Sequence, residues 1–304
     1  MEEPTDTEVV RILQARAALF QSIRTFFSER GFVEVDTPAI VPSPGLDVHL
    51  SALEVRGPDG GPVGWLATSP EYQMKRLLAA GATRVFQLGK SFRADEQGPF
   101  HEREFTMLEW YRTRATSDDV MADTEALIAS LAGASRRPEA GSLTKTWERR
   151  TVDEVMREHA GSGADDFKDD EAFFRAWVDH VQPKLGVDAP VFVVDWPRSM
   201  ASLAQLNADG TADRFEGFYR GVELCNGFGE LTDPVEQRTR FEHDQQTRSA
   251  AGLPVYPIDE KFIQALEHGI PPSAGNALGV DRLLMLLEGA DSIQAVMPFP
   301  EERT

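Results

Sequence analysis

The sequence predicts an α+β fold in which an antiparallel sheet is flanked by helices. Two pairs of alternating apolar runs, at residues 85–111 and 214–231, are each joined by a turn signal, which is typical of antiparallel hairpins. Segments with the helical spacing of apolar residues stand before, between and after these hairpins. At 304 residues, the chain has room for one large domain or two modest ones.

The composition is that of an acidic globular protein. Hydrophobic residues make up 41% of the chain and the formal net charge is −19, so the surface repels phosphate backbones and extensive nucleic-acid binding is disfavoured. The absence of a run of 18 apolar residues and the acidic N-terminus disfavour a membrane span and secretion. The single cysteine, Cys225, excludes an internal disulfide and indicates a reducing, cytoplasmic compartment, with packing as its role.

The first part of the chain is predicted to form a helix and two short strands. Apolar residues recur at three and four positions over residues 7–30, and Gly31 is typical of the position after a helix. Strands are predicted at residues 48–55 and 63–66, with a turn rich in glycine between them.

A helix that starts at Ser69 comes next, with Glu71 in its first turn, where an acid complements the helix dipole. The hairpin of residues 85–111 follows. On its second strand, Glu109 and Tyr111 share one face by the two-residue period of a strand. A carboxylate in an apolar strand is costly unless it is paired. The two residues therefore indicate either a pocket for a cation or an outward polar edge.

The middle of the chain shows no recognisable chemistry. Residues 132–190 are expected to form a helical insertion, which packs against the single domain that the rest of residues 1–304 forms. The insertion contains a capping-box pair at Thr151 and Glu154. A strongly apolar, buried strand at residues 190–196 follows it.

The second hairpin, residues 214–231, is predicted to turn at Arg220 and Gly221. It carries Glu216 and Glu223, which would repel each other as an adjacent pair at low dielectric and so require a divalent cation or a proton between them. Hard oxygen ligands favour magnesium over zinc. The alternative is one inward and one outward glutamate on a half-exposed hairpin.

Near its end the chain has a run of small residues, 273–279, followed by a helix that carries Arg282. Small residues let a backbone approach a ligand closely, and an arginine beside such a cleft suits a triphosphate. A surface salt bridge is the ordinary alternative. Because the chain has neither GxGxxG nor a P-loop motif, phosphate binding would rest on arginines and magnesium.

Five segments, in order, resemble the catalytic domain of class II lysyl-tRNA synthetases. Motif 1, which forms the dimer in that family, is resembled by FFSERGFVEVDTP, motif 2 by SFRADE with EFTMLEWY, and motif 3 by GNALGVDRLLML. The segments of the lysine pocket are resembled by TSPEYQMKRLL and GVELCNGFGEL. The resemblance covers nearly the whole chain outside the middle insertion. It implies the class II catalytic fold and a homodimer.

The resemblance also implies an enzyme that uses ATP and Mg²⁺ to activate a lysine-type substrate as an adenylate. Arg93 would hold the α-phosphate and the substrate carboxylate, Arg282 the γ-phosphate, and Glu216 with Glu223 the magnesium. The substrate would be contacted by Ser69, Glu71, Glu109, Tyr111, Asn226, Phe228, Glu230 and Ala277. ATP would also be contacted by Asp95, Glu96, His101, Phe105, Glu223, Leu224 and Gly279.

Three features set the chain apart from lysyl-tRNA synthetases. The motif 1 helix begins within ten residues of the start, which leaves no anticodon-binding domain, and the acidic charge disfavours stable tRNA binding. Ala277 stands where a glycine is expected in the lysine pocket, and its methyl group suits an amine on the β carbon. The chain therefore resembles the free-standing paralogues that activate (R)-β-lysine and transfer it to a lysine of elongation factor P.

Motif 2 departs from the family pattern in the loop that covers ATP. Asp95 is one methylene shorter than the usual glutamate, and Glu96 is able to replace it; Glu102 and Arg103 stand where the family has Asn-Pro. Two other functions stay open: a ligase for α-lysine with tRNA or another acceptor, and a catalytically silent regulatory subunit. The presence of Arg93, Glu216, Glu223 and Arg282 argues against the silent subunit.

Overall fold

The computed structural model of the protein describes residues 6–134 and 138–303. The helices of these ranges are α1 (Asp6–Glu29), α2 (Glu71–Ala79), α3 (Ser117–Ala134), α4 (Val152–Ala160), α5 (Asp170–Ala176), α6 (Pro234–Ala250), α7 (Glu260–His268) and α8 (Val280–Glu288). The strands are β1 (Val33–Glu34), β2 (Ile40–Val41), β3 (Glu54–Arg56), β4 (Pro62–Leu66), β5 (Arg84–Phe92), β6 (Glu104–Thr113), β7 (Glu148–Thr151), β8 (Val191–Trp196), β9 (Ala212–Tyr219), β10 (Val222–Gly229) and β11 (Ser273–Gly279).

The main sheet has the strand order β1-β5-β6-β11-β10-β9-β8-β7. From β5 to β8 in this order, each pair of adjacent strands is antiparallel. The edge strands β1 and β7 are each parallel to their neighbour. The predicted α+β fold with an antiparallel sheet and flanking helices is confirmed, and the parallel edges are an addition to it. A second, smaller sheet has the strand order β2-β4-β3.

The alternation of residues on β6 decides which side of the sheet is core and which side is open. Leu108 and Trp110 are fully buried in a core that also contains the apolar residues of α1, α3 and α8. Phe27 of α1 stacks on Phe86 of β5 with ring centroids 4.9 Å apart. The residues of β6 that alternate with Leu108 and Trp110 point to the other face, where α2, α6 and α7 pack around a separate apolar cluster.

Within the described residues, no helix combines the length and apolar content that a membrane span requires.

The turn of the second hairpin matches its prediction. Arg220 and Gly221 connect β9 to β10 and have φ angles of 52° and 73°. Positive φ at both central residues is the geometry of a two-residue type I′ turn, whose twist fits a hairpin. A bulge between Glu223 and Cys225 follows, so the pairing register shifts along the hairpin.

The strand predicted at residues 48–55 is wrong for most of its length, because only Glu54–Arg56 forms a strand. The buried guanidinium of Arg248 on α6 donates to the carbonyl oxygens of Asp47, Val48 and Leu50 at 2.7, 3.3 and 3.0 Å. These carbonyls are thus satisfied by a side chain rather than by a neighbouring strand. The loop that results forms part of the wall of the cavity described below.

Residues 132–190 contribute to the main sheet as well as to helices. β7 pairs with β8 in the main sheet, and Leu143 is fully buried in the main core. The predicted capping box is confirmed at the start of α4, where Thr151 and Glu154 each accept a hydrogen bond from the other's backbone N–H. Residues 1–5, 135–137 and 304, which the predicted single domain and its insertion include, lie outside the described residues.

Candidate active site

A cavity on the open face of the main sheet brings together most of the predicted site residues. Its walls come from α2, β6, β10, β11, the start of α8 and the loops at residues 43–50 and 93–103. The predicted residues that line it are Ser69, Glu71, Arg93, Glu96, His101, Phe105, Glu109, Tyr111, Glu223, Leu224, Asn226, Phe228, Glu230, Ala277, Gly279 and Arg282. Asp95 and Glu216 are not among the lining residues.

Glu109 forms the base of one end of the cavity. Its Oε1 accepts a hydrogen bond from the hydroxyl of Tyr111, and its Oε2 accepts one from Ser69 Oγ at 3.1 Å. Ser69 Oγ in turn accepts from the N–H of Glu71 at the start of α2. Complete burial, and then the charge of Glu71, raise the pKa of Glu109 to about 8. Glu109 and Tyr111 therefore face a pocket and not an outward edge.

A second buried carboxylate, Glu230, lies at the same end and forms an ion pair with Lys75 of α2. Lys75 Nζ also lies 2.6 Å from Glu71 Oε1. Burial raises the pKa of Glu230 to about 8, against the opposing effect of Lys75. The sequence reasoning missed Lys75, although Glu71 and Lys75 have the four-residue spacing that brings side chains together on a helix.

Small residues of β11 form the floor between these carboxylates. In the strand register, Ala277 lies between Glu109 of β6 and Asn226 of β10. Two residues away, a Cβ atom on Gly275 would lie 2.2 Å from the Tyr111 ring and 2.8 Å from Glu230 Oε1. The run of small residues thus makes room for the acidic and aromatic side chains that line this end.

Arg93 and its neighbours line a second region of the cavity. The Arg93 guanidinium donates to Glu96 Oε1 at 2.8 Å and to the Thr68 carbonyl oxygen at 3.4 Å. Its central carbon lies 5.2 Å from the centre of the Phe105 ring. Burial acts to raise the pKa of Glu96, but the charge and hydrogen bond of Arg93 lower it below the ordinary value. Glu96 therefore remains ionised and orients Arg93.

Asp95 does not occupy the place predicted for it. Its side chain is exposed and lies outside the cavity. The reason is local: residues 94 and 95 form a turn, and the carboxylate that returns to Arg93 belongs to Glu96.

Arg282, in the first turn of α8, links the loop at residues 93–103 to β10 in this second region of the cavity. It donates to the carbonyl oxygen of Phe100 at 3.1 Å and to that of Glu223 at 3.0 Å, and lies 3.5 Å from Glu223 Oε2. Burial and the charge of Arg282 lower the pKa of His101, so this imidazole is neutral near pH 7. Arg282 is thus partly buried in the cavity wall rather than part of an exposed surface pair.

Glu216 is buried close to Glu223, but the two do not face each other across the hairpin. Glu216 is opposite Asn226 in the register and binds Arg214 at 2.6 Å. Burial raises the pKa of Glu216 to about 7, an effect that Arg214 opposes and Glu223 increases. In residues 6–134 and 138–303, no group of three or more His, Cys, Asp or Glu side chains forms a metal site. Two carboxylates nevertheless fit magnesium in a nucleotide site, where phosphates supply further oxygens.

The loop at residues 93–103 is fastened to the C-terminal part of the chain, a contact that the sequence reasoning missed. Gln294 Nε2 donates to the carbonyl oxygens of Gly98 and His101 at 2.9 and 3.3 Å and to Glu102 Oε1 at 2.9 Å. The backbone N–H of Glu301 donates to Glu102 Oε2 at 3.1 Å. Glu102 thus holds this loop, which accounts for one departure from the family pattern.

Cys225 is buried on β10, and burial raises the pKa of its thiol to about 12. A thiol with so high a pKa is not a nucleophile at neutral pH. Its contacts agree with the packing role expected from the sequence.

Comparison with known proteins places this geometry in a family. The chain is 42% identical to the elongation factor P–(R)-β-lysine ligase of Edwardsiella ictaluri (strain 93-146) over 309 positions, which cover 96% of the chain and 95% of the relative. It is 41% identical to the ligase of the same name from Hamiltonella defensa subsp. Acyrthosiphon pisum (strain 5AT) over 310 positions, with the same coverage. Residues 4–303 match the family described as tRNA synthetases class II (D, K and N). The chain therefore belongs to the class II tRNA synthetase family.

Proposed function

We propose that the protein activates (R)-β-lysine with ATP and transfers the β-lysyl group to a lysine side chain of elongation factor P. Both relatives carry the name of this activity and match nearly the whole chain. The observation that carries the proposal is that one cavity is lined both by the buried carboxylates of Glu109 and Glu230 and by the guanidinium groups of Arg93 and Arg282. Such a cavity suits ATP together with a substrate that carries two amines.

The activation step would depend on positioning and on charge neutralisation. A carboxylate oxygen of β-lysine attacks the α-phosphorus of ATP, the bond from that phosphorus to the bridging oxygen breaks, and pyrophosphate leaves. Arg93 would hold the α-phosphate and the substrate carboxylate, and Glu96 already orients its guanidinium. Arg282 would hold the terminal phosphate. No nucleophile from the protein is required.

The transfer step would use the adenylate formed at this site. The neutral amine of the acceptor lysine attacks the carbonyl carbon, an amide bond forms, and AMP leaves with the bonding electrons while the amine loses a proton. The substrate amines would be bound by Glu71, Glu109, Tyr111, Asn226 and Glu230. Phe228 would form the pocket wall, and Ala277, between Glu109 and Asn226, would favour an amine on the β carbon.

Magnesium would be held by Glu223 together with Glu216, and when bound it would neutralise charge on the phosphates. Phe105 would stack on adenine, and His101 would lie over ATP in the loop at residues 93–103. Leu224 and Gly279 complete the proposed ATP contacts. Asp95 is left out of these contacts, because its side chain is exposed and Glu96 takes the place beside Arg93.

We further propose a homodimer that acts in the cytoplasm and does not bind tRNA stably. The exposed apolar side chains of α1, β1, β2 and β4 are candidates for burial in a dimer, namely Val10, Leu13, Val33, Ile40 and Val63. Light scattering should give twice the mass of one chain, and a monomeric mass at micromolar concentration would contradict the dimer. The net charge of −19 supports the absence of stable tRNA binding.

The proposed transfer is tested by incubating the protein with ATP, (R)-β-lysine and purified elongation factor P and measuring the intact mass of the factor. We expect the factor to gain one lysyl residue, and a factor with its acceptor lysine replaced by arginine to gain none. Charging of tRNA with α-lysine under the same conditions, with an unmodified factor, would instead support the tRNA-dependent alternative. A factor that stays unmodified with either amino acid would contradict the proposal.

A further inference from the structure

Lys75 is a buried cation next to the carboxylates of the cavity. It lies on α2 with its side chain 1% exposed, 2.6 Å from Glu71 Oε1 and in an ion pair with Glu230. Its ammonium is 6.0 Å from the ring centres of Tyr111 and Phe262. Lys75 does not line the cavity itself. It contacts Glu71 and Glu230, whose side chains line the cavity.

Burying an ammonium is strongly unfavourable unless it is paired and hydrogen-bonded. Lys75 meets this condition, because two carboxylates contact it. Burial acts to lower the pKa of Lys75, but Glu230 and Glu71 raise it above the ordinary value, so the side chain remains an ammonium. Without this bridge, Glu71 and Glu230 would repel each other at the pocket end where both are needed.

We propose that Lys75 is a positioning residue that bridges Glu71 and Glu230 and sets the charge of the amine pocket. Three carboxylates, those of Glu71, Glu109 and Glu230, then face one internal ammonium, so the pocket lacks two positive charges. A substrate with two ammonium groups supplies them, and this part of the inference rests on the proposed function. In the substrate-free protein a proton on Glu109 offsets part of this charge, since burial raises the pKa of Glu109 to about 8.

The inference makes Lys75 part of substrate selection although it does not touch the substrate. An amino acid with one amine leaves a carboxylate without a partner, and three cations would exceed the charge available. Replacement of Lys75 by a neutral residue makes three carboxylates face two substrate ammonium groups, and it also frees Glu71 and Glu230 from their bridge. Removing one carboxylate at the same time restores the balance.

The test is a double-mutant cycle with Lys75→Met, Glu71→Gln and the two combined, read out as pyrophosphate exchange with (R)-β-lysine. Each single change should raise KM about tenfold, with a smaller effect on kcat. In the double variant, the fold-rise in KM should be well below the product of the fold-rises in the two single variants. The reason is that its two carboxylates again match two ammonium groups. A Lys75→Met variant with the wild-type KM, or single effects that multiply, would overturn the role of Lys75.

Two controls separate this role from a structural one. Met74→Ala removes a fully buried neighbour on the same helix, and Met74 does not line the cavity. This variant should destabilise the fold, and ethylammonium should not lower its KM. Lys75→Ala should regain affinity for (R)-β-lysine when ethylammonium is added, and no rescue would count against the proposal. If no diamino acid supports pyrophosphate exchange by the wild-type protein, the proposed function itself is overturned, which is a distinct result.

Discussion

Buried carboxylates govern the site at the scale of single residues. Glu109 and Glu230 are each about as inaccessible as core leucines, at 1% and 3% exposure. Their pKa values near 8 show that burial outweighs the effect of the groups that stabilise the charged form. Ammonium groups of a bound substrate would shift that balance, because an opposite charge at contact distance favours the ionised carboxylate.

Stability should therefore depend on pH in a defined direction. Glu109 and Glu230 have folded-state pKa values of about 8, above the ordinary 4.5, so the folded protein binds more protons than the unfolded chain between these limits. The free energy of unfolding should fall as pH rises from about 4.5 to about 8. Urea unfolding across this range measures the slope. Glu109→Gln should flatten it, and an unchanged slope in that variant would contradict the assignment.

Arg93→Ala should lower the rate of pyrophosphate exchange roughly 100- to 1000-fold, because the variant lacks the guanidinium proposed to hold the attacked phosphate. The melting temperature should change little, since the partners of this partly exposed guanidinium are one carboxylate and one carbonyl group. Arg149→Ala, which removes an arginine from an exposed pair with Asp118, is the matched control. Wild-type exchange by the Arg93 variant would rule out its proposed role.

Gly275→Ala tests the floor of the amine pocket. Its new Cβ would lie 2.2 Å from the Tyr111 ring and 2.8 Å from Glu230 Oε1, so both side chains must shift. We expect KM for (R)-β-lysine to rise about 5- to 150-fold, which corresponds to the cost of about 1–3 kcal/mol that is usual for overpacking. Gly133→Ala on α3, where no atom lies within 4 Å of the new methyl group, should leave KM unchanged. Equal KM values for the two variants would contradict this account of the floor.

Some of these residues could be predicted from the sequence, and some could not. Strand alternation was enough to place Glu109 and Tyr111 on one face of β6. It did not reveal that Lys75 would bridge Glu71 and Glu230, because Glu230 is far away in sequence. The choice between Asp95 and Glu96 depended on a turn at residues 94 and 95. That turn reverses which of two adjacent carboxylates faces Arg93.

At the scale of elements, the loop at residues 93–103 shows how distant parts of the chain cooperate. It connects β5 to β6, and it is held by Gln294 and by the backbone of Glu301. The loop carries His101 and contacts Arg282 through the carbonyl of Phe100. Its position over the cavity is therefore set from outside the hairpin to which it belongs.

Gln294→Ala should loosen this loop and weaken ATP binding. The variant loses hydrogen bonds to Gly98, His101 and Glu102, each of which contributes about 1 kcal/mol at most sites. KM for ATP should rise several-fold, while KM for (R)-β-lysine stays close to the wild-type value. Gln246→Ala, on an exposed position of α6, is the matched control. A rise in both KM values to the same extent would show a general loss of structure instead.

The same scale explains the strand that was wrongly predicted at residues 48–55. Local composition favoured an extended segment, and an extended segment needs a partner for its carbonyl groups. Arg248, about 200 positions further along the chain, supplies the partner for three of them. Such a contact leaves no trace in the local pattern. The hairpin turn at Arg220 and Gly221 was predictable because its geometry depends on those two residues alone.

At the scale of the whole molecule, the sheet order assembles the cavity from distant segments. β11 lies between β6 and β10, so Ala277 meets Glu109 on one side and Asn226 on the other. The segments that carry these residues were recognisable in the sequence. Their order in the sheet, and the parallel strands β1 and β7 at its edges, depended on long-range pairing that no single segment encodes.

The central claim is that this cavity activates (R)-β-lysine as an adenylate. Pyrophosphate exchange with (R)-β-lysine or L-α-lysine, each at the same concentration and without acceptor, tests it most directly. We predict strong exchange with the β isomer and much weaker exchange with the α isomer. Preference for α-lysine would contradict the role assigned to Ala277, and no exchange with either isomer would contradict the catalytic account as a whole.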